Sequence, residues 1–149
     1  MNIKPGDQVI CSSHTMVATG SAIKMAGGDP VPVDIGEDNL INPEEIKLAI
    51  NSKTVGIMPT HLNGRTCNMD EIMKIARDNN LFVVEDAAQS LGSKFKGKNA
   101  GTFGNASAIS FYPAKVLGCF GDGGALTTKN KELADKCKRI RNYGSEKKY

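Results

Sequence analysis

The chain has 149 residues, 40% of them hydrophobic and 23% charged, with a formal net charge of +3. That length suits one ordinary domain, and that balance suits a globular fold with a real core, which excludes a disordered or fibrous chain. No apolar run approaches the ~20 residues that a bilayer crossing needs, and the opening MNIKPGDQVI has no signal-peptide core, so a cytoplasmic location and no membrane partner are expected.

QVICSS (8–13) reads as a strand, and TMVATGSAIKMAGG as a helix stopped by Gly27 and Gly28. VPVDI (31–35) is a short strand. NPEEIKLAI then opens a helix with Asn42 as N-cap, Pro43 in the first helical position and Glu45 two residues further, a capping-box arrangement. TVGIMPT (54–60) is a buried-type strand. Asn68 and Glu71 cap the next helix, whose Ile72, Met73, Ile75 and Ala76 form an apolar face. LFVVEDA (81–87), NASAISFY (105–112) and GALTTK (124–129) are further strands, and a basic helix follows. Strands alternating with helices predict an α/β fold of three α/β/α layers around a largely parallel sheet.

Residues 129–149 hold eight Lys or Arg against three Asp or Glu. Because Leu133, Cys137 and Ile140 recur at helical spacing, the lysines there cover a solvated helix face, and few aromatics stand ready to stack on bases. No nucleic-acid partner is expected. Cys11, Cys67, Cys119 and Cys137 lie far apart with no C-x-x-C pair, so neither a metal site nor a disulfide framework is expected. GSKFKGKN (92–99) imitates a phosphate-binding P-loop. Yet Asn99 stands where the magnesium-binding Ser or Thr belongs, and no helix follows, so a lysine-rich surface hairpin is the better reading.

In open α/β sheets, ligands gather at the carboxyl ends of the strands. That rule brings HTM, HLNG, EDAAQS and YPAK to one rim. Asp86 ends a buried strand, where it serves either as a helix N-cap or as the partner of a buried cation such as a protonated pyridine nitrogen. Gln89 follows three residues on, and Ser110 closes another strand with a hydroxyl suited to phosphate. Lys115 sits just before a run of glycines, Gly118 to Gly124, expected to leave open space beside an amine that forms an imine with a bound aldehyde.

The segment VVEDAAQSLGSKFKGKNAGTFGNASAISFYPAKVLGCFGDGGALTT resembles the core of the DegT-type sugar aminotransferases, pyridoxal-phosphate enzymes of the aspartate-aminotransferase fold (fold type I). PGDQVICSSHTMVATGSAI, GIMPTHLNGRTCNMDEI and RIRNYGSEKKY resemble collinear segments of the same family. The resemblance implies pyridoxal 5'-phosphate as cofactor and transfer of an amino group, with glutamate as donor, to a nucleotide-linked keto sugar in amino-sugar biosynthesis. It assigns Lys115 as the Schiff-base lysine and proton carrier. Asp86 would pair with the ring nitrogen, Gln89 with the ring oxygen and Ser110 with the phosphate. Met16 falls where the family has an aromatic ring stacked on the cofactor, and His61 falls on the substrate side, with a hydrogen-bonded structural histidine as the alternative. A related branch that dehydrates similar sugars carries histidine in place of the lysine, which disfavours that chemistry here. The family's proteins are more than twice this length and act as dimers. The expectation is therefore a single partial large domain, 1–149, without its N-terminal flank and C-terminal small domain, and a homodimer when full length. The alternative is an inactive fragment, or a module for cofactor binding or association.

Overall fold

Parallel neighbours in a sheet need a crossover long enough to carry the chain back to the starting edge, whereas a strand that returns through a loop can reverse. Both cases occur in the computed structural model, which describes residues 1–145. The last four residues of the family-like stretch RIRNYGSEKKY, with Lys147 and Lys148 of the basic tail, lie outside the described residues. The elements run β1 (Gln8–Ser12), α1 (Val17–Met25), β2 (Asp29–Val33), α2 (Pro43–Ala49), β3 (Thr54–Met58), α3 (Met69–Asp78) and β4 (Phe82–Asp86). A small hairpin follows, β5 (Lys94–Phe95) and β6 (Lys98–Asn99), then β7 (Ala106–Ser110), β8 (Gly124–Thr127) and α4 (Lys131–Arg141).

The main sheet has the order β2-β1-β3-β4-β7-β8. Every neighbouring pair up to β4–β7 is parallel, the β4–β7 crossover running through the β5–β6 hairpin segment rather than a helix, and β7–β8 is antiparallel, joined by the loop that carries Lys115. Strand alternation sends side chains to two faces. On one face Ile10, Ile57 and Val83 pack with Ile46 of α2 and with Ile72, Ile75 and Ala76 of α3 in the larger core. On the other, Val9 and Cys11 meet Ile23 of α1. The expected three layers are present.

Helix starts follow the capping chemistry. Asn68 Oδ1 accepts from Glu71 N–H at 3.4 Å, and its amide donates back to the Glu71 carboxylate at 3.0 Å. Asn42 caps α2, but through the N–H of Glu44 at 3.0 Å rather than that of Glu45. The imitation P-loop is the β5–β6 hairpin, turning through Lys96 and Gly97 at positive φ. Among the described residues, no helix is long and apolar enough to cross a membrane.

Candidate functional site

Pairing register decides which residues share the rim. Asp86 lies opposite Ala108, and Ser110 follows Ala108 by two, so Asp86 and Ser110 project from the same sheet face. Glu85, opposite Ser107, projects from the other face. A parallel bridge between Thr60 and Asp86 carries the β3–β4 pairing to the strand ends.

No helix begins at Asp86. The chain turns instead, and Asp86 Oδ1 accepts the N–H of Ala88 at 3.1 Å. The other oxygen, Oδ2, accepts the hydroxyl of Thr19 at 2.7 Å. Behind Thr19 stand two more hydroxyls, Thr15 at 2.8 Å from Thr19 and Thr60 at 2.9 Å from Thr15. Sequence reasoning missed these three threonines, of which even the nearest, Thr60, lies 26 positions from the acid they serve. The signal was partial: Thr15 falls in HTM, a stretch assigned to the rim, whereas Thr19 lies in the helix after it and Thr60 ends the strand before HLNG.

Beyond the turn, Gln89, Ser110 and Lys115 line one hollow of about 400 Å³ together with Asn63, Ala88 and Leu91. That volume is within the range of small-molecule sites, roughly 300–1,000 Å³. Gln89 Oε1 accepts from the Asn63 N–H at 3.4 Å, which leaves the amide NH2 as the group it can offer. Ser110 Oγ accepts from the Tyr112 N–H at 3.2 Å, so its own proton is available to donate. Lys115 is half-buried at the first turn after β7, its N–H bonded to the Tyr112 carbonyl at 2.8 Å.

The loop carrying Lys115 is tied at Phe111, whose N–H donates to the Gly123 carbonyl and whose carbonyl accepts from the Cys119 N–H. Its glycines do a different job from the one expected. A Cβ on Gly118 would collide with the Pro113 carbonyl, and one on Gly124 would lie 2.8 Å from the Ile109 carbonyl. Both permit backbone to approach backbone; the open space belongs to Gly121, at φ +153° with nothing near it.

Met16 lies at the same rim as the N-cap of α1, 65% exposed and outside the lining of the hollow. His61 is not brought to the site. It is fully buried on the other side of the rim, its Nε2 donating to Glu85 Oε2 at 2.9 Å and its Nδ1 accepting the Cys67 N–H at 3.2 Å. Both ring nitrogens are engaged, so the substrate-side role gives way to a structural one. Glu85 itself accepts four hydrogen bonds, the other three from the N–H groups of Gly101, Phe103 and Gly104, each at 2.7 Å. Burial opposes its charge, but the His61 bond and the Gly104 and Gly101 N–H groups outweigh it and hold the carboxyl below the ordinary value.

The chemistry of these groups fits pyridoxal phosphate. An amine, a hydroxyl donor and an amide donor surround one hollow, and a carboxylate with an unused lone pair stands one turn away. Comparison with known proteins agrees. The model of the DegT/DnrJ/EryC1/StrS aminotransferase family matches residues 1–149. A dTDP-3-amino-3,4,6-trideoxy-alpha-D-glucose transaminase of Streptomyces venezuelae is 43% identical over 150 residues, covering 100% of this chain and 40% of that one. The crystal structure of S. venezuelae DesV in complex with a ketimine intermediate superposes with a TM-score of 0.93 at 44% identity, covering 99% of this chain and 40% of the other. Bacillus subtilis NtdA with bound PMP superposes at 0.83 with 39% identity, covering 92% and 31%. The chain thus spans about 40% of the length of the curated relatives it matches. On its fold and its sequence, the chain belongs to the DegT/DnrJ/EryC1/StrS aminotransferase family.

Proposed function

We propose that this chain is the cofactor-binding core of the large domain of a pyridoxal-phosphate-dependent aminotransferase that carries an amino group from an amino acid, glutamate, to a nucleotide-linked keto sugar. The observation that carries the reading is the convergence of Gln89, Ser110 and Lys115 on one hollow beside the clamped carboxylate of Asp86. The sugar substrate is inferred from the relative named as a transaminase of a dTDP-linked amino sugar.

When bound, pyridoxal phosphate supplies an aldehyde and a protonated ring that draws electron density from the substrate carbon. Lys115, which lines the hollow, would be the covalent anchor and the base that moves a proton at the substrate carbon. Asp86 would accept the ring N–H and keep it in place. Ser110 would donate its free proton to a phosphate oxygen, and the Gln89 NH2 would donate to the ring oxygen. Met16, exposed at the same rim at the start of α1, would offer its thioether to the cofactor ring. The exposed apolar side chains of the Lys115 loop, Val116, Leu117 and Phe120, favour a homodimeric whole enzyme in which a partner covers them.

Borohydride reduction of the chain with pyridoxal phosphate tests this directly. Mass mapping should find the label on the Lys115 peptide, and Lys115→Ala should abolish it. Label spread evenly over surface lysines refutes the assignment.

A further inference from the structure

Proton counting fixes the direction of the threonine chain. A carboxylate has no proton to give, so Thr19 donates to Asp86 Oδ2 at 2.7 Å. Each hydroxyl has one proton. Thr19 must therefore accept from Thr15 at 2.8 Å, and Thr15, its proton spent, must accept from Thr60 at 2.9 Å. That order leaves Thr60 no proton for Asp86, in keeping with their 3.5 Å separation. The three hydroxyls point one way and end on a single oxygen. Thr19 and Thr60 are buried, so water does not compete for these bonds.

We propose that Thr19, backed by Thr15 and Thr60, is a positioning residue that sets the rotation of the Asp86 carboxylate and so aims its unused lone pair at the cofactor's ring nitrogen. The inference rests on the functional reading above, and it adds a role for α1 and for the turns before it and after β3 that the reading alone does not contain. Oδ1 is steadied by the Ala88 N–H and Oδ2 by the Thr19 hydroxyl. With both oxygens anchored, the carboxylate plane is fixed before any ligand arrives, and binding loses less rotational freedom. Alignment matters because a charge-assisted hydrogen bond weakens steeply away from linearity.

The test uses two probes with the full chain, pyridoxal phosphate and its 1-deaza analogue, which keeps the aldehyde and phosphate but has carbon in place of the ring nitrogen. Their affinities are measured by absorbance titration, and folding of each variant is checked by circular dichroism and urea denaturation. The unaltered chain should prefer pyridoxal phosphate. Thr19→Val should cut that preference about tenfold while leaving the analogue's affinity unchanged, Thr19→Ser should restore it, and Thr60→Val should cut it about two- to threefold. Equal weakening of both probes by Thr19→Val, or an undiminished preference, overturns the positioning role. Asp86→Ala separates the two levels: if it leaves the preference intact, or if the unaltered chain binds neither probe, the functional reading itself has failed.

Discussion

The two halves of the rim are built differently. The half that bears Asp86 is set by the interior: Glu85 and His61 are fully buried beneath it, and Thr19 and Thr60 nearly so. The half that bears Lys115 is a surface loop, where Val116 is 86% exposed and Phe120 wholly so, followed by α4, which buries no residue at all. A carboxylate that must keep one orientation benefits from a packed, dry surround. On the proposed function, the Lys115 amine forms and releases bonds to a ligand, and it sits on a loop whose apolar side chains are exposed. Stability and reactivity are thereby assigned to opposite halves, and substitutions in each should behave accordingly.

The largest effect is expected beneath Asp86. Glu85→Ala leaves the His61 Nε2–H and three backbone N–H groups buried without an acceptor, which should cost about 3–5 kcal/mol in urea denaturation. A loss below about 1 kcal/mol would mean that the 101–104 loop peels away and finds water at little cost. Next, Ile57→Ala hollows the larger core and should cost about 2–5 kcal/mol, whereas Ile140→Ala on α4 should stay within about 0.5 kcal/mol. Comparable losses at the two positions would erase the contrast between the halves.

The sequence made the element order, the three layers and the caps at Asn42 and Asn68 legible because these depend on local periodicity and short-range hydrogen bonds. The reversal of β8 was not legible, since β4 and β7 likewise have no helix between them and yet run parallel. Nor were the roles of the neighbouring acids. Glu85 and Asp86 look alike in VVED, and only the pairing register tells which one faces the α1 side and which the buried cage. Burial and register also favour the structural alternative for His61 over the substrate-side one. Its partners, Glu85 and Cys67, are distant or unremarkable in sequence, and a rim turn reads as a ligand site until burial is known. The glycines of the Lys115 loop misled because bulk was reckoned against a ligand, when the close neighbours are the loop's own carbonyls.

Acid should reveal the same division on a smaller scale. The Glu85 carboxyl in the folded chain lies below its ordinary value of 4.5, so its contribution is fully present above that pH and is lost as pH falls through the folded value. Unfolding free energy should therefore decline below about pH 4.5, and Glu85→Gln should flatten that decline. An identical acid slope in the variant would place the sensitivity elsewhere. Asp29, Asp78 and Asp135 are also lowered, mainly by their bonds to Lys24, Lys74 and Lys131, but these fully exposed pairs are screened by solvent and should add little.

The smallest contrast is the most discriminating, because it holds the chemistry constant. Asn68 and Asn130 are both N-caps whose Oδ1 accepts the backbone N–H three residues on, at 3.4 Å and 3.0 Å. By bond length alone Asn130 has the better cap. Their helices differ in anchorage: α3 buries Met69, Ile72, Ile75 and Ala76, while α4 buries none. When a helix is welded to the core, fraying its first turn disturbs the packed face and is felt by the whole fold. When it lies on the surface, the turn frays by itself. Asn68→Ala should accordingly lower global stability by about 1 kcal/mol, near the usual value for a lost cap. Asn130→Ala should leave the denaturation midpoint almost unmoved and instead speed amide hydrogen exchange in the first turn of α4. If the shorter bond at Asn130 proves the more costly to remove, α4 is held to the sheet more firmly than its exposure implies, and the Lys115 half of the rim is stiffer than its surface suggests.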